Sequence, residues 1–186
     1  MAKTSSITAK YLRSRLDYDP ATGVFIWRAR STPPGINDGG WNRRIAGKVA
    51  GTVSVQGYRH ISIDNKLYRA NRLAWLYVYG RFPPRHVDHE DEDRLNDRIA
   101  NLRPATHAQN LWNHGPNRNN RSGVKGVFWD KKRRRWRAEI AAEGKQIALG
   151  VHHTKAAAKA ARDEAARKYH GDFAKLARPD KAVRAS

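Results

Sequence analysis

Asp88 and His89 stand side by side in this chain, with Asn101 thirteen residues after the aspartate and Asn110 nine beyond that. An acid and an imidazole followed by two amides at these intervals predict a short strand, a turn, a second strand and a helix folded around one divalent metal. Asp88 and Asn110 offer two hard oxygen ligands, which suit Mg²⁺ or Mn²⁺ with the remaining positions left to water and phosphate. Hydrolysis of a phosphodiester needs such a charge sink for the leaving oxygen and a base to deprotonate water. Asn and Asp are common in turns, so any pair of them would mean little. Four polar groups in this order carry more weight.

Their surroundings sharpen the reading. The chain of 186 residues holds 37 Lys and Arg against 17 Asp and Glu, a formal net charge of +20. A field of that sign attracts polyanions, and neutralised phosphates release their counterions, so nucleic acid is the favoured partner. Yet six of the seventeen acids (Asp88, Glu90, Asp91, Glu92, Asp93 and Asp97) crowd into ten positions. An acidic island in so basic a chain makes sense if a cation sits there. Positive charge is densest beyond it: residues 117–186 hold 19 basic and 7 acidic groups, against 18 and 10 in residues 1–116.

The elements that must position these groups can be read in order. Residues 7–16 predict a helix with Leu12 and Leu16 on one face, residues 17–23 a turn, and residues 24–28 a strand. Residues 31–44 read as loop. Alternating apolar and polar residues at 48–53 and 58–64 predict half-buried strands, with a hairpin turn at 64–66 leading into 67–69. Residues 72–79 predict a buried helix stopped by Gly80 and the Pro83-Pro84 pair. That pair keeps the chain extended into a first strand at 85–88. A turn is expected over 90–96, a second strand over 98–102, and a helix capped by Thr106 over about 107–112. Residues 114–122 form a polar linker rich in Gly, Pro and Asn.

Beyond the linker three alternating strands are predicted at 124–129, 134–141 and 145–151. A helix follows over 155–169, with Thr154 as N-cap and Gly171 past its end. Ala157, Ala158, Ala161, Ala165 and Tyr169 share one face of it. Val124, Phe128, Trp136, Ala138, Ile140, Ile147 and Leu149 are expected to point inwards on the sheet. Lys125, Trp129, Arg135, Arg137 and Gln146 then face outwards together, with Lys131 and Arg133 in the adjoining turn. A basic three-stranded face fits the major groove, where Arg reads guanine edges and other residues grip phosphates.

Two resemblances follow from these residues. The segment 85–113, RHVDHEDEDRLNDRIANLRPATHAQNLWN, resembles the ββα-metal motif of HNH endonucleases in its DH…N…N variant. The resemblance implies that His89 is the general base, that Asn101 braces the turn and helps aim the imidazole, and that Asp88 and Asn110 hold the metal. Relatives of this type carry His-Arg at the helix before the motif, where this chain reads Asn71-Arg72, and an amide cannot titrate. Arg72, Arg85 and Arg103 are candidate phosphate contacts. Residues 122–172 resemble the AP2 DNA-binding domain, through Gly126-Val127, Trp136-Arg137-Ala138-Glu139-Ile140, Leu149-Gly150 and the Ala-rich helix.

The expected fold is therefore α+β. A small N-terminal antiparallel sheet leads into a ββα-metal nuclease core (1–113, motif 85–113). The linker 114–122 joins this to a three-stranded antiparallel sheet with one helix (123–175), and a basic tail completes the chain (176–186). That order is similar to phage and mobile-element homing endonucleases. It implies metal-dependent hydrolysis of duplex DNA, with one active site nicking one strand, in a monomer or homodimer. A catalytically weak DNA-binding regulator of the same fold is the alternative, with Asn71 its best argument. The absence of cysteine excludes disulfides and thiolate metal sites. No stretch approaches the ~20 apolar residues of a membrane span, so a cytoplasmic setting in a bacterial host is expected.

Overall fold

The computed structural model describes residues 7–31, 40–117 and 119–176. It is a mixed α+β structure built from four small antiparallel sheets and divides into two compact units, one reaching to His107 and the other beginning at Ala108. That division falls at the start of the helix His107–Asn113, ahead of the Gly/Pro/Asn-rich linker read from the sequence.

In the first unit, α1 (Ala9–Arg15) is capped by Thr8, whose hydroxyl accepts the Tyr11 amide. The segment expected as a turn after it is instead partly strand: β1 (Leu16–Asp19) pairs along its length with β2 (Val24–Trp27). Alternation of buried Leu16 and Tyr18 with exposed Asp17 and Asp19 drives this, and only 20–23 form the turn. A short helix α2 (Trp41–Ile45) lies in the stretch read as loop, of which 32–39 are outside the described residues. β3 (Thr52–Val53), β4 (Arg59–Ile63) and β5 (Lys66–Arg69) form a second sheet. Asp64 and Asn65, both at positive φ, make the tight two-residue turn between β4 and β5.

α3 (Ala70–Tyr79) follows directly and stops at Gly80 in the left-handed conformation. Its buried Leu73, Ala74 and Leu76 join Leu12, Leu16, Phe25 and Ile61 in one core. The third sheet is the hairpin of β6 (His86–His89) and β7 (Leu102–Ala105). The second strand thus begins at Leu102; residues 99–101, expected within it, form a single 3-10 turn. α4 (His107–Asn113) follows β7.

In the second unit β8 (Val127–Asp130), β9 (Arg135–Ala142) and β10 (Lys145–His152) make an antiparallel meander, and α5 (Lys155–His170) packs on it. Thr154 caps α5 through the Ala157 amide. The buried residues of α5 are Ala158, Arg162, Asp163, Ala165, Ala166 and His170, so Ala157, expected among them, is exposed and Arg162 takes a core position. Burial pulls the Arg162 guanidinium below its usual range, and it reaches the Lys175 carbonyl. Gly126, at φ 73°, lets β8 begin flush against β9: a Cβ there would lie 2.2 Å from the Glu139 carbonyl oxygen. The tail placed at 176–186 lies, after Leu176, outside the described residues.

Candidate active site

The hairpin β6–β7 sets two polar side chains of adjacent residues in the interior. Asp88 and His89 are each 4% exposed, and strand alternation sends them to opposite sides of β6. A charge or an imidazole that deep needs a partner, and each has one. Arg103, directly across the hairpin in register, donates from Nε and Nη2 to one Asp88 oxygen at 3.0 and 2.9 Å. His89 places Nε2 3.0 Å from Oδ1 of Asp97, which is 2% exposed. Burial raises the Asp97 carboxyl above its ordinary range, while the His89 hydrogen bond and the charges of His89 and Arg59 act the other way.

The loop between the strands is held by Asn101. Its Oδ1 accepts the Asp91 amide at 3.1 Å, and its Nδ2 donates to Asp91 Oδ1 at 2.9 Å and to the Asn96 carbonyl at 2.8 Å. Asn96 adds a 2.6 Å bond to the other Asp91 oxygen, and the Asp93 amide donates to Asp91 as well. Slight burial works to raise the Asp91 carboxyl, but these bonds outweigh it and hold the group below its usual range. Asp91 and Asp93 are therefore local turn-formers, and the acidic island is in part the chemistry of this loop.

The N-terminal hairpin reaches the same loop. Tyr18 donates its hydroxyl to the Asp97 carbonyl at 2.7 Å, and the Ile99 amide donates to the Pro20 carbonyl at 3.3 Å. Desolvation raises the Tyr18 hydroxyl well above its usual value, so it stays a donor. Gly23, at φ 77°, presses so close that a Cβ would fall 2.5 Å from the Asp97 carbonyl carbon.

Other candidates are distributed unevenly. Arg72 turns to the Arg85 carbonyl, and desolvation lowers its guanidinium. Arg85 is exposed. Arg103 lies on Asp88 as described. Asn71, in place of the family's histidine, is 3% exposed and contacts the Val87 carbonyl at 3.5 Å, just beneath Asp88. Asn110 is half-buried on α4, in the second unit. The sequence reading placed Asp97 only within the acidic island and not beside His89, because an acid eight residues beyond it carries no periodic signal. It passed over Tyr58, whose ring centroid is 6.1 Å from that of His89, with Arg69 and Arg94 over the Tyr58 ring at 4.3 and 5.0 Å.

Among the described residues no group of three or more His, Asp or Glu side chains forms a metal cluster. The buried Asp88 carboxylate is a hard oxygen ligand of the kind a divalent cation takes, and here the Arg103 guanidinium holds it, so a cation would have to share or displace that partner.

On the sheet of the second unit, Lys131, Arg133, Arg135, Arg137 and Gln146 are exposed. Arg137 and Gln146 also reach Glu139 on the same face, at 3.5 and 2.8 Å. Two expectations are corrected by register. Val127 pairs with Ala138 on the buried side, so Phe128, opposite Arg137, faces outwards, and Trp129 sits on the helix side against Trp136. Lys125 precedes β8 and turns inwards, donating to the carbonyls of Leu111, Trp112 and His114 at 2.7, 3.2 and 2.7 Å. Desolvation brings its ammonium down to about 8.

The HNH endonuclease family model matches residues 68–111, from β5 into α4, and the chain belongs to the HNH endonuclease family. It is 40% identical over 85 residues to Protein 3.8 of Escherichia phage T7, across 44% of this chain and 70% of that protein. No solved structure matches the chain. No helix among the described residues is long and apolar enough to cross a membrane.

Proposed function

We propose that this protein is a divalent-metal-dependent endonuclease that nicks duplex DNA at a recognised site, of the homing type. The observation that carries the reading is the buried Asp88-His89 pair on β6, each side chain held by its own partner, within a chain of net charge +20. Asp88 and Asn110 would hold the metal, Mg²⁺ or Mn²⁺, and its charge would stabilise the scissile phosphate and the leaving 3′ oxygen. His89 accepts the proton of the attacking water. The new O–P bond forms as the P–O3′ bond breaks, and the 3′ oxygen leaves. Asn101 keeps the loop between the strands in the shape that aims His89. Arg69 and Arg94, beside Tyr58, are placed to contact flanking phosphates.

The sheet β8–β10 acts as the AP2-like DNA-reading face, through Arg135, Arg137 and Gln146, with Lys131 and Arg133 on the backbone. Phe128 joins that face in place of Trp129. One active site per chain cuts one strand, and a double-strand break requires a homodimer or two events. The setting is the cytoplasm of a phage's host cell.

Cleavage of supercoiled plasmid carrying the target, with Mg²⁺, Mn²⁺ or EDTA, tests this. Metal-dependent open circle that disappears in His89→Ala is expected. Tight binding without cutting in any metal would overturn the enzymatic reading.

A further inference from the structure

The imidazole expected to act as base is buried, and a buried neutral histidine has two tautomers of which only one leaves the reactive nitrogen with its lone pair. Nε2 of His89 lies 3.0 Å from Asp97 Oδ1. Both side chains are shielded, at 4% and 2% exposure, so the contact is not diluted by water. Asp97 is itself fixed from three directions by residues outside the β6–β7 hairpin. Its carbonyl accepts the Tyr18 hydroxyl, the next-but-one amide donates to Pro20, and Gly23 packs on its backbone. A carboxylate held this firmly costs stability to bury, and its side-chain hydrogen bond is to His89.

We infer that Asp97 is a positioning residue that fixes the orientation and tautomer of His89, holding the proton on Nε2 so that Nδ1 is the nitrogen that takes the proton from water. The inference deepens the nuclease reading, on which its catalytic consequence rests. Asp97 touches neither substrate nor metal; it acts only through the imidazole.

The test uses the full-length protein with Asp97→Asn, which keeps size, and Asp97→Ala. Tyr18→Phe, which removes only the bond to the Asp97 carbonyl, serves as a milder variant. Nitrogen-15 NMR of the histidine ring, without metal, reads the His89 tautomer directly. The wild type is expected as the Nε2–H form, and Asp97→Asn and Asp97→Ala are expected to lose that preference. Nicking at saturating plasmid should fall about 10- to 100-fold in both, with KM for plasmid unchanged, the range seen when a residue orienting a functional side chain is lost. Tyr18→Phe should lie between them and the wild type.

An Nδ1–H wild type, or variants with the wild-type tautomer, would overturn the inference, whatever the activity. Variants that lose the tautomer yet cut at the wild-type rate would overturn its catalytic part. A wild type that shows the Nε2–H form but cuts no DNA in any metal would sink the nuclease reading and leave the Asp97–His89 assignment standing.

Discussion

Gly23 and Asp97, seventy-four positions apart, meet backbone to backbone: a side chain on Gly23 would begin 2.5 Å from the Asp97 carbonyl carbon. The contact ties the turn of the N-terminal hairpin to the loop that carries His89's partner. Gly23→Ala must therefore both adopt a left-handed conformation and displace that loop. A loss of about 2 kcal/mol or more is expected from urea unfolding. Plasmid nicking should drop further than stability alone explains, since the displaced atom belongs to Asp97.

Arg103 and Asp88 form a shielded ion pair, at 15% and 4% exposure. Removing one member of such a pair leaves the other uncompensated, typically at a cost of about 3–5 kcal/mol. Arg103→Gln should lower stability in EDTA accordingly. Mn²⁺ should restore more of it than it adds to the wild type, because a cation at Asp88 replaces the missing charge. Thermal unfolding with and without Mn²⁺ checks this; equal metal-induced shifts in both proteins would argue against a cation at Asp88.

His170 is buried against Trp112, ring centroids 4.3 Å apart and nearly parallel, and its Nε2 donates to the Ala141 carbonyl at 2.8 Å. Desolvation lowers its pKa below the usual 6.5, with the carbonyl acting the other way. The unfolded chain then binds the proton more readily than the folded one, so stability is lost as pH falls from about 6.5 through the folded value. His170→Phe, which keeps the stack, should flatten that part of the profile in urea titrations between pH 5 and 8. An unchanged slope would show that His170 is not the group responsible.

Arg135 and Arg137 lie exposed on the outer sheet face. As part of the reading face, Arg135→Gln should weaken binding to the target more than to random duplex, whereas Arg133→Gln, on the backbone, should weaken binding to all duplexes alike and reduce the log K against log salt slope by about 0.9. Filter binding across a salt series distinguishes the two.

What the sequence made legible, and what it did not, follows from how local each signal is. Asp88 and His89 were readable because the Pro83-Pro84 pair forces an extended entry and the family pattern lies within a short span. Asp97 was not, since its partner and its supports come from opposite ends of the first unit. In Val127-Phe128-Trp129 three apolar residues in succession carry no alternation, so the side facing the helix was ambiguous until Gly126 and the pairing with β9 set the register. Leu16 was read as the end of the first helix, and Tyr18 was hidden inside a turn signal dominated by Asp, Pro and Gly. Arg162 shows the reverse failure. Its charge argued for solvent, while the small alanines around it left a core space that its long stem fills.

The reach of the N-terminal hairpin to Asp97 also bears on how this nuclease could be moved between proteins. The segment 68–111 that matches the family contains Asp88, His89, Asn101 and Asp97 but none of Tyr18, Pro20 or Gly23. A graft of that cassette onto a foreign scaffold would carry the reacting groups without the external clamp on the loop that orients one of them. A chimera starting at residue 68 would need a substitute for the three contacts made by Tyr18, Pro20 and Gly23.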